Sequence, residues 1–140
     1  LRMLGLDVHY DHHCSDEVLA RLSADERRVL LTRDVELLKR SPVRLGAFVR
    51  AQQPTRQFAE VVRRFDLGDA SLDPFSRCLD CNTPLEPATA SVVAAEGPPH
   101  ARRVNDAFWR CPTYETVYWE GSHVERMRRR IRRVLALAGA

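Results

Sequence analysis

Apolar residues in the first half of the chain come in short bursts, separated by polar stretches with helical spacing. Leu1–Leu4 reads as the tail of a helix stopped by Gly5. Leu6–Tyr10 predicts a short strand with Val8 and Tyr10 on one face. Ser15 then precedes Asp16 and Glu17, acids that favour the positive end of a helix, so a capped helix with Val18, Leu19 and Leu22 as its apolar stripe is expected. The continuous run Val29-Leu30-Leu31 suits a buried parallel strand. It leads through Thr32-Arg33-Asp34 into a helix from Val35 to Arg40, broken at Ser41-Pro42. Ala47-Phe48-Val49 is the next strand. Pro54 opens a helix through Phe65, with Phe58, Val61, Val62 and Phe65 facing inward. Alternating strands and helices with short connections predict an α/β fold, a parallel sheet covered by helices.

The pattern changes after Asp66–Ser76, a stretch holding Gly68, Pro74, Ser and Asp without apolar periodicity. Cys78 to Cys81 is followed by an irregular Pro- and Ala-rich segment reaching His100. Phe108–Cys111 and Thr116–Trp119 read as a small hairpin. Ser122 and Glu125 have capping-box spacing at the start of a last helix, whose apolar positions are Val124, Met127, Ile131, Val134 and Leu135. The expected organisation is an α/β domain over 1–66, a linker over 67–76, a cysteine module over 77–120 and a basic amphipathic helix over 121–140. No internal repeat is visible.

Composition narrows the class. With 140 residues, 44% apolar and 29% charged, the chain is no disordered tail. Folding at this length buries roughly two-thirds of the unfolded surface. No apolar run approaches the ~20 residues of a membrane span, and no secretory leader is visible, so no membrane partner and a cytoplasmic, reducing setting are expected. The chain opens at Leu1 and reads as an excised piece. Net charge is +3, unevenly placed: residues 1–76 are neutral, 77–120 carry −2 and 121–140 carry +5. Lys39 is the sole lysine among 22 basic residues. That ratio fits codon bias in a GC-rich, bacterial genome, and it also fits bidentate phosphate contacts, for which guanidinium is suited.

The four cysteines are Cys14, Cys78, Cys81 and Cys111. Cys78-Leu79-Asp80-Cys81 points to metal or redox chemistry before structural disulfides. A redox motif normally opens a helix, which Asn82 and Pro84 disfavour. His9, His12 and His13 crowd Cys14, and the tight His12-His13-Cys14 spacing reads as a surface loop rather than a ligand set.

Three strings carry a family resemblance: Leu30-Leu31-Thr32-Arg33-Asp34, Ser76-Arg77-Cys78-Leu79-Asp80-Cys81-Asn82, and the run from Phe108 to Met127. Together they resemble the C-terminal ribonuclease domain family named after the worm mutator-seven exonuclease, a PIN-like nuclease domain followed by a zinc ribbon. The family pattern opens with a strand bearing an Asp, so the chain is expected to lack the first strand and its acid. The family's Cys-Pro-x-Cys is replaced here by Cys111-Pro112-Thr113-Tyr114.

The resemblance implies an acidic site at the C-terminal edge of the sheet that holds Mg²⁺ or Mn²⁺. Pattern alone reads Asp34 as a helix cap; the resemblance gives it a catalytic, metal-holding role, with Asp11 and Asp16 as the next candidates and Glu17 as a weaker substitute. It also implies Zn²⁺ on Cys78, Cys81 and Cys111, leaving one position for Glu115, His100, His123 or water. RNA is the expected partner. Arg126, Arg129, Arg130 and Arg133 share a polar helix face that can follow a phosphate backbone, and Trp109 and Trp119 offer rings for stacking. The functional expectation is a metal-dependent ribonuclease. The alternative is a non-catalytic RNA- or ribosome-binding module.

Overall fold

Local signals set the element order. In the computed structural model, which describes residues 1–68 and 72–139, Arg2–Leu4 forms one 3-10 turn closed by Gly5 at φ 80°. A Cβ at Gly5 would lie 2.1 Å from the Asp73 carbonyl oxygen, so both backbone conformation and close approach require glycine. Ser15 caps α1 (Asp16–Asp25), its hydroxyl accepting from the Val18 amide. β1 (Leu30–Thr32), α2 (Val35–Leu38), β2 (Gly46–Phe48) and α3 (Pro54–Arg64) follow. β1 and β2 pair in parallel, Leu31 opposite Ala47, with α2 on the connection between them. This mixed α/β arrangement with a small parallel sheet agrees with the class read from the sequence.

Two clusters form the core. Ala20, Leu30 and Leu37 join α1, β1 and α2. Leu4, Phe58, Ala59 and Val62 meet Ile131, Val134 and Ala138, so the last helix, α6 (Ser122–Ala138), packs against α3 and the 3-10 turn. Val62 and Val134 are fully buried there.

Several local expectations are corrected. Leu6–Tyr10 forms no strand and pairs with none among the described residues. Side chains hold its backbone instead: Arg2 donates from Nε and Nη2 to the Val8 carbonyl at 3.1 and 3.0 Å, and the Val8 amide donates to Asn82 Oδ1 at 2.9 Å. In α1, Val18 is exposed, while Ala20 and Ser23 are buried, since small residues let the helix approach β1 closely. Phe65 falls just past the end of α3 and is partly exposed. No capping box forms at α6: Gly121 is the N-cap without a side-chain bond, and Glu125 pairs with Arg128 at 3.0 Å.

The second half holds a three-stranded antiparallel sheet of β3 (Glu86–Pro87), β4 (Phe108–Arg110) and β5 (Val117–Trp119), with Trp109 opposite Tyr118. The hairpin follows the sequence reading. The third strand and two helices, α4 (Ala90–Glu96) and α5 (Pro99–Arg102), replace the expected irregular stretch. Thr89 caps α4 and Pro99 opens α5, so the Pro-rich composition concealed two short helices. Part of the expected linker, residues 69–71, lies outside the described residues. Beyond it, the Asp73 and Phe75 amides donate to Leu4 and Met3 carbonyls at 3.2 Å each, tying 72–76 to the 3-10 turn.

Candidate functional site

Two loops of matching geometry build the cysteine centre. In the first, the Cys78 amide donates to Thr83 O and the Asn82 amide to Cys78 O, both at 2.9 Å, with Asn82 at φ 70°. In the second, the Cys111 amide donates to Thr116 O at 2.9 Å and the Glu115 amide to Cys111 O at 2.8 Å, with Glu115 at φ 59°. The loops share these two backbone bonds and a positive-φ residue at the same offset, so Tyr114 stands at the position that Cys81 holds in the first. The Sγ atoms of Cys78, Cys81 and Cys111 lie within 4.8 Å of one another. Cys78 and Cys111 are fully buried, and Cys81 is half-buried.

Three convergent sulfurs fit a thiophilic ion such as zinc, because thiolate is its preferred soft ligand. Burial raises the Cys81 thiol, but its hydrogen bonds with the Thr83 hydroxyl and amide, and with Cys111 and Cys78, outweigh it and hold Cys81 at about 6. Burial pushes the Cys111 thiol up, against the opposing bond from the Tyr114 amide. Tyr118 Oη lies 3.2 Å from Cys78 Sγ, and burial followed by that bond raises its phenol.

The expected fourth ligands are elsewhere. Glu115 pairs with Arg110 at 2.8 Å, His100 meets Trp119 edge-on at 6.3 Å between ring centres, and His123 lies beside Arg126. Among the described residues, the three cysteines are the one group of His, Cys, Asp or Glu side chains with three or more ligand atoms together. The loop of His12, His13 and Cys14 forms no such set; its two imidazoles lie 3.9 Å apart between ring centres, tilted by 43°, and Cys14 contacts Asp11.

The candidate acids are each engaged locally. Asp34 caps α2, accepting from the Glu36 and Leu37 amides at 2.7 and 3.3 Å. Asp11 accepts from the His13 amide at 2.8 Å, and that bond, followed by the one to Cys14, holds its carboxyl below the usual range. Asp16 faces Arg40 at 3.6 Å. Asp11, with Asp7, His9, Thr32 and Arg33, lines an open cavity of about 870 Å³ that runs along the whole of β1 and the face of α3 from Pro54 to Val61, with mostly apolar walls. Asp16 and Asp34 do not line it. The three carboxylates form no ligand set for a hard divalent ion, which needs several oxygens converging.

On α6, Arg126, Arg129, Arg130 and Arg133 are exposed and form no ion pair among the described residues. Arg128 differs: it binds Glu120 and Glu125 and lies 5.8 Å from the Phe75 ring centre. Trp109 and Trp119 are half-buried and line a small apolar pocket of about 40 Å³ with Val124 and Met127, packing the sheet against α6.

A family model, Mut7-C RNAse domain, matches residues 1–131. The chain belongs to the Mut7-C RNAse domain family. No curated protein and no solved structure matches it significantly. No helix among the described residues of this Mut7-C domain is long and apolar enough to cross a membrane.

The sequence reading missed how the cysteine loop is wired to the rest of the Mut7-C domain. Arg2 Nη1 donates to the Leu79 and Asp80 carbonyls at 2.8 and 2.7 Å. Arg77 Nε donates to Gly5 O at 3.1 Å. Asn82 Nδ2 donates to Asp7 at 2.7 Å, and Asp7 pairs with Arg28 at 3.0 Å. Asn82 lies within one of the strings that carry the family resemblance, which was the available signal. Asp7 and Arg2 carried none, since the partners that tie them to this wiring, Arg28 and Asn82 for Asp7 and the Leu79 and Asp80 carbonyls for Arg2, are more than twenty residues away in sequence.

Proposed function

We propose that this Mut7-C domain engages RNA by its phosphodiester backbone, with α6 as the electrostatic surface, in the service of ribonuclease chemistry. The observation that carries the reading is the set of unneutralised arginines on the exposed face of α6. Among the described residues, some surface arginines elsewhere are matched by acids, as Arg21 by Glu17 and Arg40 by Asp16, and others, such as Arg44 and Arg56, are not; α6 differs in gathering four unpaired arginines on one helix face. Four guanidinium groups on one face release condensed counterions when they meet phosphates, and phosphates carry no base identity. Zn²⁺ on Cys78, Cys81 and Cys111 would fix the two loops and so the sheet that packs beside α6.

The hydrolytic part of the reading rests on Asp34 with Asp11 or Asp16, as family membership suggests, and on Mg²⁺ or Mn²⁺. The separation of these carboxylates does not fit such an ion, so no hydrolytic step is derived through one. That separation favours the second reading, a non-catalytic RNA-binding module, for the residues described. Purified protein incubated with labelled RNA, with and without Mn²⁺, tests both. Binding with metal-dependent cleavage supports the ribonuclease; binding alone supports the module. Absence of binding at low salt defeats both.

A further inference from the structure

The cysteine centre departs from a closed four-thiolate site in a defined place. Position 114 matches Cys81 by loop geometry, yet its tyrosine is 59% exposed and its phenol bonds to none of the three sulfurs. No carboxylate, imidazole or further thiol of the described residues stands in for it. The half-buried sulfur, Cys81, is flanked by hydroxyls: Thr83 Oγ1 lies 3.2 Å from Cys81 Sγ and 3.0 Å from Thr113 Oγ1.

We propose that this centre holds a metal ion through Cys78, Cys81 and Cys111 and keeps its fourth position for an exchangeable external ligand, a neutral donor of the imidazole type, with water in its absence. Closed tetrahedral sites are structural, whereas a site with three protein ligands leaves a position for solvent or an incoming group. A divalent ion with three thiolates carries a net negative charge, so it favours neutral donors over anions. The same charge makes it a weak Lewis acid, so the centre captures a ligand rather than activating water. The Thr83 and Thr113 hydroxyls lie beside Cys81, the half-buried sulfur of the three, and can hydrogen-bond a ligand bound there.

The test uses the whole chain loaded with one equivalent of Co²⁺, whose visible ligand-field bands report the donor set. Added imidazole should change those bands saturably in the parent. In Tyr114→Cys, a fourth thiolate should close the site and the bands should not respond. X-ray absorption of the zinc-loaded parent is independent of that variant's folding and should count three sulfurs and one lighter atom. An unresponsive parent, four sulfurs around zinc, no binding of Co²⁺, or one ion shared by two chains would each overturn the proposal. None of these readouts depends on RNA, so the RNA reading stands or falls separately.

Discussion

Asp34 caps α2, and substitution separates that cap from the hydrolytic role proposed for it. As the N-cap of α2 it satisfies two amides, and loss of such a cap costs about 1 kcal/mol. Asp34→Ala should therefore lower stability by about that amount, while Asp34→Asn, nearly as good a cap, should leave the urea midpoint almost unchanged. On the hydrolytic reading Asp34→Asn still abolishes divalent-ion-dependent RNA cleavage. Full cleavage by that variant removes Asp34 from the chemistry. Asp7 gives a pH prediction. The Arg28 hydrogen bond, followed by that of Asn82, holds its carboxyl below the ordinary range. A depressed folded-state value adds stability that is present above the unfolded value and lost as pH falls through the folded one. Stability should thus decline below about pH 4, the ordinary carboxylate range, and Asp7→Asn should flatten that decline in urea midpoints taken from about pH 6 to about pH 3. The side chain is half-exposed, so the effect is small.

Elements with their own local signal were legible. The Ser15 cap, the Val29-Leu30-Leu31 run, the Pro54 start and the Phe108–Trp119 hairpin all follow from neighbouring residues. What was not legible depended on distant partners. Leu6–Tyr10 has a strand's pattern, yet Arg2 donating to the Val8 carbonyl and the Val8 amide donating to Asn82 Oδ1 replace a ladder, and the Asn82 partner lies 74 residues away. The capping box at Ser122 does not form because the helix starts one residue earlier than expected, with Gly121 as the N-cap and Ser122 already helical. In the site, the three cysteines were legible from spacing and resemblance, whereas the separation of the acids was not, because it depends on where the loops carry them. The same wiring makes an element-scale prediction. If metal fixes the loop around Cys78 and Asn82, then chelation should loosen the bond from the Val8 amide to Asn82, and hydrogen exchange at Val8 should accelerate well before α3 exchanges. Equal protection with and without chelator would contradict the coupling. The 3-10 turn belongs to the core rather than to a frayed end: Leu4 is fully buried against α3 and α6. Leu4→Ala should cost about 3 kcal/mol, read as a lowered urea midpoint, and a loss below about 1 kcal/mol would show that the turn is dispensable.

Across the whole molecule, charge is placed asymmetrically. The chain is only +3, but residues 121–140 carry +5, and α6 presents that charge while its other face is locked to α3 by Ile131, Val134 and Ala138. The helix can therefore meet a polyanion without leaving the core. Arg129 and Arg133 are exposed, a turn apart and outside the apolar stripe, so their removal should leave the fold intact. The most direct measurement is the affinity for single-stranded RNA across a range of salt, for the parent and for Arg129→Ala with Arg133→Ala. The parent's log affinity should fall linearly with log salt, and the double variant should bind more weakly across unrelated sequences, with the slope flattened by roughly 1.4, about 0.7 for each lost contact. A double variant that binds as the parent does, with the same slope at low and moderate salt, would contradict the assignment of α6 as the RNA surface.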